Sequence, residues 1–285
     1  VRGCVQSPTF ALEQRHRTLR FGELLHCDMH RLSREDAQDF LAHTASHPGI
    51  RCIEWPERAE GGQSAGPLID IIFDDADPRS RKLTVRFQDL SLPDRSRVQQ
   101  WRKHVHLPQH IRRHCDAVGA YAELLTGGLL QRGILVRPLL LRRAGECHDL
   151  LRFLDFRFGL GPSLSSYSPL DRCVWEEQRV RYPSLSHEAA CAAFLEAEGY
   201  NAVGRVVCTH GVHLPPAEGS TIEQKLLFYA DKRLKQDECV PLEERLRDFR
   251  VRYGVGPDSD RWYAYAKELE RELFPKNAMG SFPLV

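Results

Sequence analysis

The sequence predicts a mainly α protein, a helical bundle preceded by a small α+β region. Two observations carry this. Up to about residue 95, short β-branched runs alternate with turn residues. From Pro93 onward apolar residues recur at helical spacing and strand signals nearly vanish. The expected division is therefore 1–95 as the α+β region and 96–285 as an all-α domain.

In the front region, Ser33-Arg-Glu-Asp36 reads as a helix N-terminus, because a serine there can accept the backbone N–H three residues on. It opens a helix expected over Glu35–Ala45. Ile50–Trp55 reads as a short strand. Glu60 to Gly66 is a Gly/Ser-rich break. Pro67–Phe73 and Lys82–Phe87 are apolar, β-branched runs joined through Asp74-Asp-Ala-Asp-Pro78, which predicts a hairpin. Behind them the spacing predicts helices over Arg95–His104, Pro108–Arg132, Pro138–Asp155, His187–Glu198, Ala202–Thr209, Ile222–Gln236, Leu242–Tyr253 and Asp260–Phe274. Pro108 and Pro138 stand where a helix start has no use for an N–H. Gly159 to Ser168 is the longest internal loop, inside an insertion expected over Arg157–Arg181.

Lys plus Arg number 40 and Asp plus Glu 39, so the net charge is +1 and neither nucleic acid nor an anionic membrane is expected as the main partner. No apolar run reaches the roughly 18 residues that span a bilayer. Val1 to Arg20 lacks the apolar centre of a secretory signal. The nine cysteines are odd in number and form no C-x-x-C, which suits scattered reduced thiols and a cytoplasmic location. No Walker A or G-x-G-x-x-G motif is present.

Histidine and aspartate recur in a particular order: His114, the adjacent pair His148-Asp149, then His187, His210 and Asp231. Each position falls on a different consecutive predicted helix, near its apolar face. Ala117, Val118 and Tyr121 follow His114; Leu150, Leu151 and Leu154 follow Asp149; Leu226, Leu227 and Ala230 precede Asp231. Polar groups on buried faces are costly unless paired or metal-bound. A mixed imidazole and carboxylate set favours iron, manganese, zinc, cobalt or magnesium over soft-metal chemistry.

Residues from about 97 to 275 resemble the HD-domain metal-dependent phosphohydrolase superfamily. The pieces that carry the resemblance are Ile111-Arg-Arg-His114, His148-Asp149, Ser186-His-Glu-Ala-Ala190, Cys208-Thr-His-Gly211 and Ile222–Arg233, which closes on Tyr-Ala-Asp-Lys-Arg. The resemblance implies that His114, His148, Asp149 and Asp231 hold one divalent metal. It implies that His187 and His210 add a second, with Asp149 bridging. The implied activity is hydrolysis of a phosphoester or phosphoanhydride of a nucleotide-like small molecule, with a metal-activated water as nucleophile. Asp149, Arg152 and Lys232 are the catalytic candidates, Lys225 a weaker one. Arg152 stands where the superfamily often has lysine, and it keeps the charge while adding a bidentate phosphate donor. Glu146 and Cys147 depart from the apolar residues usual before the pair. Alternatives of other classes are a di-iron oxygenase, since some relatives with this ligand order use two irons and O₂, and a regulatory module that binds metal or nucleotide without turnover.

Several features have plainer readings. Arg152 could simply pair with Asp155 or Glu146. Arg233 reads as a helix-surface charge, and Arg245, Arg247, Arg250 and Arg252 as a solvated, salt-bridged face. His110 reads as a solvent-side residue, and His213 as a lesser alternative to His210. Gly62-Gln-Ser-Ala-Gly66 matches a nucleophile elbow but lacks the strand before and the helix after, so it reads as a loop. His26-Cys-Asp-Met-His30 is too short and isolated for a metal site. Residues 1–95 carry no chemistry of their own and read as a partner-domain remnant, a dimerisation element or a cap.

Overall fold

Serine and threonine caps, a few glycines and a run of buried aliphatic side chains set the architecture. In a computed structural model, residues 8, 11–19, 22–59, 67–77, 80–156, 166–211, 219–254 and 256–275 are described. The chain divides into two units, 1–89 and 90–285.

In the first unit, β1 (Glu13–Arg17) pairs antiparallel with β2 (Glu23–Asp28), and β2 pairs parallel with β3 (Ile50–Glu54). Parallel neighbours need a crossover, supplied here by α1 (Arg34–Thr44). Ser33 caps α1 by accepting the Asp36 N–H at 3.2 Å, as the sequence predicts. Met29, Ala37 and Ala59 form a small core with Leu32, Phe40, Leu41 and Ile53 against it. The predicted hairpin is present as β4 (Leu68–Asp77) and β5 (Ser80–Gln88). The strands β1 and β2 were not expected, because charged residues interrupt β1.

The second unit is helical: α2 (Arg95–His104), α3 (Gln109–Gln131), α4 (Pro138–Cys147), α5 (Pro169–Arg181), α6 (His187–Ala197), α7 (Asn201–Val207), α8 (Ile222–Arg233), α9 (Leu242–Tyr253) and α10 (Pro257–Leu273). Its core runs from Val98 and Trp101 through Val118, Leu125, Leu141, Leu151 and Phe194 to Leu227, Trp262 and Leu273. A short hairpin of β6 (Leu234–Lys235) and β7 (Glu238–Cys239) follows α8.

Three predicted helices stop early, each for a local reason. The helix expected over Pro138–Asp155 ends at Cys147. Its next residue, His148, uses Nδ1 to bond the Gly145 carbonyl at 2.8 Å, the acceptor that a continuing helix would need. A 3₁₀ turn over Arg152–Asp155 follows. The helix expected to Thr209 ends at Val207, and His210 Nδ1 bonds the Val207 carbonyl at 2.6 Å in the same manner. The helix expected to Gln236 ends at Arg233, where Leu234 turns extended. In the other direction, α5 occupies part of the expected insertion. Its Ser168-Pro-Leu-Asp171 start is a reciprocal capping box with proline at the first helical position.

Two glycines bring α3 and α4 into backbone contact. A Cβ at Gly145 would lie 2.4 Å from the Gly119 Cα, and one at Gly119 would lie 2.8 Å from the Arg142 carbonyl. No side chain larger than hydrogen fits between these backbones. Gly→Ala inside a helix ordinarily stabilises by ~1 kcal/mol. Gly145→Ala should do the reverse and cost roughly 1–3 kcal/mol, as overpacking does. Urea unfolding would read this as a lower midpoint at constant slope; a midpoint at or above wild type would remove the contact's role.

Candidate metal centre

Helix termini deliver the polar side chains to one place. His114 lies in the second turn of α3. His148 caps the C-terminus of α4, and Asp149 stands in the turn beyond it. His187 is the first residue of α6, whose Ser186 cap accepts the Ala189 N–H. His210 lies just past α7, and Asp231 is in the last turn of α8. His148, His187 and His210 are buried, with Asp149 and Asp231 at 9% and 7% exposure.

Distances join them into one cluster. His114 Nε2 is 3.1 Å from Asp231 Oδ1, and His148 Nε2 is 3.7 Å from the same oxygen. His148 Nε2 is 3.8 Å from Asp149 Oδ2. Asp149 Oδ1 is 3.1 Å from His187 Nε2 and 3.5 Å from His210 Nε2. Potential ligand atoms of His114, His148 and Asp149 lie within 4.8 Å of one another, as do those of Asp149, His187 and His210. Asp149 belongs to both groups and turns one oxygen toward each.

The hydrogen bonds on the far side of each ring fix the tautomers. A carbonyl oxygen can only accept, so the nitrogen it meets must be N–H. His114 Nδ1 donates to the Gln236 carbonyl, His148 Nδ1 to Gly145 and His210 Nδ1 to Val207. His187 Nδ1 meets the Asp155 carboxylate at 2.6 Å. The Nε2 atoms are left to face the two aspartates. His148 Nε2 is buried without a hydrogen-bond partner among the described residues. Lone pairs and carboxylate oxygens that converge in this way repel unless a cation lies among them, and an N–H pinned to a carbonyl or carboxylate is how metal-binding histidines are oriented.

Charge points the same way. Burial opposes the ionised form of Asp149, but His148 and Arg152 outweigh it and hold the carboxyl well below its usual range. Burial is likewise outweighed at Asp231, first by Lys232 and then by His114. Burial keeps His148 neutral, with its pKa down at about 3. At His187, burial and Arg152 lower the pKa, but the hydrogen bonds to Asp149 and Asp155 outweigh them and raise it to about 9. Four carboxylates, those of Asp149, Asp231, Asp155 and Glu188, thus crowd the cluster, and among the described residues Arg152, Lys232 and a His187 held toward its protonated form stand against them. The donor set, the orphaned Nε2 and this charge all suit a divalent ion of the N/O-preferring kind.

The other candidates divide. Arg152 Nη1 is 3.0 Å and 3.2 Å from the two ring nitrogens of His187, which places it over the ring face, and 3.5 Å from Asp155 Oδ2. It pairs with Asp155, not Glu146, and stays about a third exposed. Lys232 corrects the expectation of a phosphate-facing lysine. It is buried, donates to Asp231 Oδ2 and to the His210 carbonyl, and lies 4.9 Å over the Phe228 ring. It braces two of the cluster residues. Lys225 pairs with Glu272. Arg233 is not a surface charge: it is 2% exposed and bonds the Val240 carbonyl and Tyr229 hydroxyl. Glu146 is buried between Arg142 and Arg143, and Cys147 is buried. His110 is exposed, and Arg245, Arg250 and Arg252 pair with Asp248 or Asp260. In the first unit His26 pairs with Glu54 at 2.6 Å. His213, Gly62–Gly66 and Gly159–Gly161 lie outside the described residues.

Asp155 and Glu188 were not anticipated as neighbours of the cluster. Glu188 Oε2 is 3.3 Å from His187 Nδ1. For Asp155 the available signal was its i,i+3 spacing from Arg152, which suggests only an ion pair and nothing about His187. The Gln236 carbonyl could not be read at all, since its position depends on the turn between β6 and β7.

Residues 1–83 match the family model described as Threonylcarbamoyl adenosine biosynthesis protein TsaE. The match falls on the front of the chain and not on the helices that carry the histidine and aspartate cluster. No curated protein and no solved structure matches the chain. No helix among the described residues is long and apolar enough to cross a membrane.

A divalent ion at a hundredfold excess over its Kd should stabilise the chain by ~2.7 kcal/mol. Thermal melts with Mn²⁺ or Zn²⁺ should therefore show a rise in Tm that His148→Ala removes. Asp155→Ala should keep the fold and weaken the metal Kd by roughly 10–100-fold, as loss of an outer partner does. An unchanged Kd by calorimetry would deny Asp155 that part.

Proposed function

We propose that the helical unit is a two-metal phosphohydrolase of the HD-domain type, acting on a phosphoester or phosphoanhydride of a small, nucleotide-like molecule. The observation that carries this reading is Asp149: one carboxylate shared between two imidazole-bearing groups, an oxygen toward each. A shared carboxylate between adjacent N/O sites suits two ions about 3.5–4 Å apart that clamp an in-line displacement. His114, His148, Asp149 and Asp231 would hold one ion, and Asp149, His187 and His210 the other. Bound there, divalent ions supply an activated water and a Lewis acid for the phosphoryl oxygens.

The chain's own residues do the rest. Arg152, a partly exposed guanidinium beside the cluster, would meet phosphoryl oxygens there. Asp155 holds His187 in one orientation, and Lys232 fixes the Asp231 carboxylate and the His210 main chain. No serine or cysteine nucleophile is required. The match of the front residues to a protein of threonylcarbamoyl adenosine biosynthesis puts adenosine nucleotides first among substrates to try.

Metal analysis of the purified protein, followed by a panel of phosphomonoesters, phosphodiesters and nucleoside polyphosphates, tests the proposal. Asp149→Ala should lose bound metal and turnover together. Arg152→Ala should keep its metal and raise KM or lower kcat. An Asp149→Ala variant that retains both metal and activity would defeat the assignment. Iron content with O₂-dependent turnover and no phosphate release would replace hydrolysis with oxygenation.

A further inference from the structure

The turn between α2 and α3 borders a cleft of about 640 Å³ that contains none of the six cluster residues. Its wall gathers three fixed cations, Lys103, Arg112 and Arg113, with His106 and His110 beside them, against the single carboxylate of Asp171. That carboxylate is already taken, by His106 Nδ1 at 2.7 Å and by the Ser168 cap. The Lys103 side chain is exposed and has no carboxylate partner among the described residues. Arg112 uses Nε on the Leu107 carbonyl and Nη2 on that of Arg102, which fixes its guanidinium at the cleft wall. Arg113 makes a half-exposed contact to Asp237 at 3.4 Å.

The floor is rigid. His106 holds a left-handed φ of 50°, a conformation disfavoured for a residue with a Cβ. The Trp175 indole N–H stabilises it by donating to the carbonyls of Val105 at 3.1 Å and His106 at 3.3 Å. The Tyr167 ring packs edge-on against Trp175 and closes one side. Gln109 and His110, the first residues of α3, line the same cleft, and that helix start has no side-chain cap.

We propose that this cleft is a second binding site, for the phosphoryl group of a small molecule, separate from the metal cluster. Three cations lining one cleft, with Arg112 held in place by main-chain carbonyls, suit a dianionic phosphate. Binding here needs no ion at the cluster, so it stands apart from the hydrolase reading.

The test uses the full chain freed of metal with a chelator, with ¹H–¹⁵N spectra followed during titration with inorganic phosphate, ADP and adenosine. Phosphate and ADP should saturably shift the amides of residues 103–113, and adenosine should not. Lys103→Glu, an exposed change with no partner to lose, should weaken both by at least about tenfold. Lys103→Arg should restore them. Wild-type affinity in Lys103→Glu would overturn the proposal. So would adenosine binding equal to that of ADP, or shifts confined to residues 148–152.

Discussion

Everything at the cluster depends on where four N–H bonds point. Each imidazole spends its Nδ1 proton on an oxygen behind it: main-chain carbonyls for His114, His148 and His210, a carboxylate for His187. In the neutral rings the opposite nitrogens are thereby acceptors, and they face two aspartates that burial has not neutralised. Such an arrangement would be self-repelling in a dry interior without positive charge. Lys232 meets part of that demand from behind Asp231, and Arg152 meets part of it over His187. What remains is a demand for divalent charge, and the proposed chemistry follows from it.

The same bonds explain why the helices end where they do. At His148 and at His210 the imidazole takes the carbonyl three residues back, so binding geometry and helix termination are one event. The glycine contact between α3 and α4 brings the backbones close enough for His114 and His148 to place their ring centroids 5.2 Å apart. Packing and site are thus coupled through a few short main-chain approaches.

Much of this was legible in the sequence, for identifiable reasons. The change of period near residue 95, the Ser33 cap and the β4–β5 runs are local patterns, and local patterns survive translation into structure. The ordered histidines and aspartates were legible because each sits beside an apolar helical stripe. The helix ends at Cys147 and Val207 were not, since a side chain competing for a main-chain acceptor leaves no mark in hydrophobic spacing. The capping box at Ser168 is a local pattern too, written in Ser168-Pro-Leu-Asp171. The inward turn of Lys232 and Arg233 was hidden for another reason: lysine and arginine at the end of a helix look like surface charges until the packing around them is known.

Three of the four imidazole props are peptide carbonyls, which every amino acid provides alike. No point substitution can remove them without rebuilding the fold. Only at His187 are the props side chains, Asp155 at 2.6 Å with Glu188 at 3.3 Å beside it, so natural variation in ion preference has its accessible dial on the His187 half of the centre. The His114–His148 half is anchored by the main chain itself and is the more conservative partner in any divergence of this architecture.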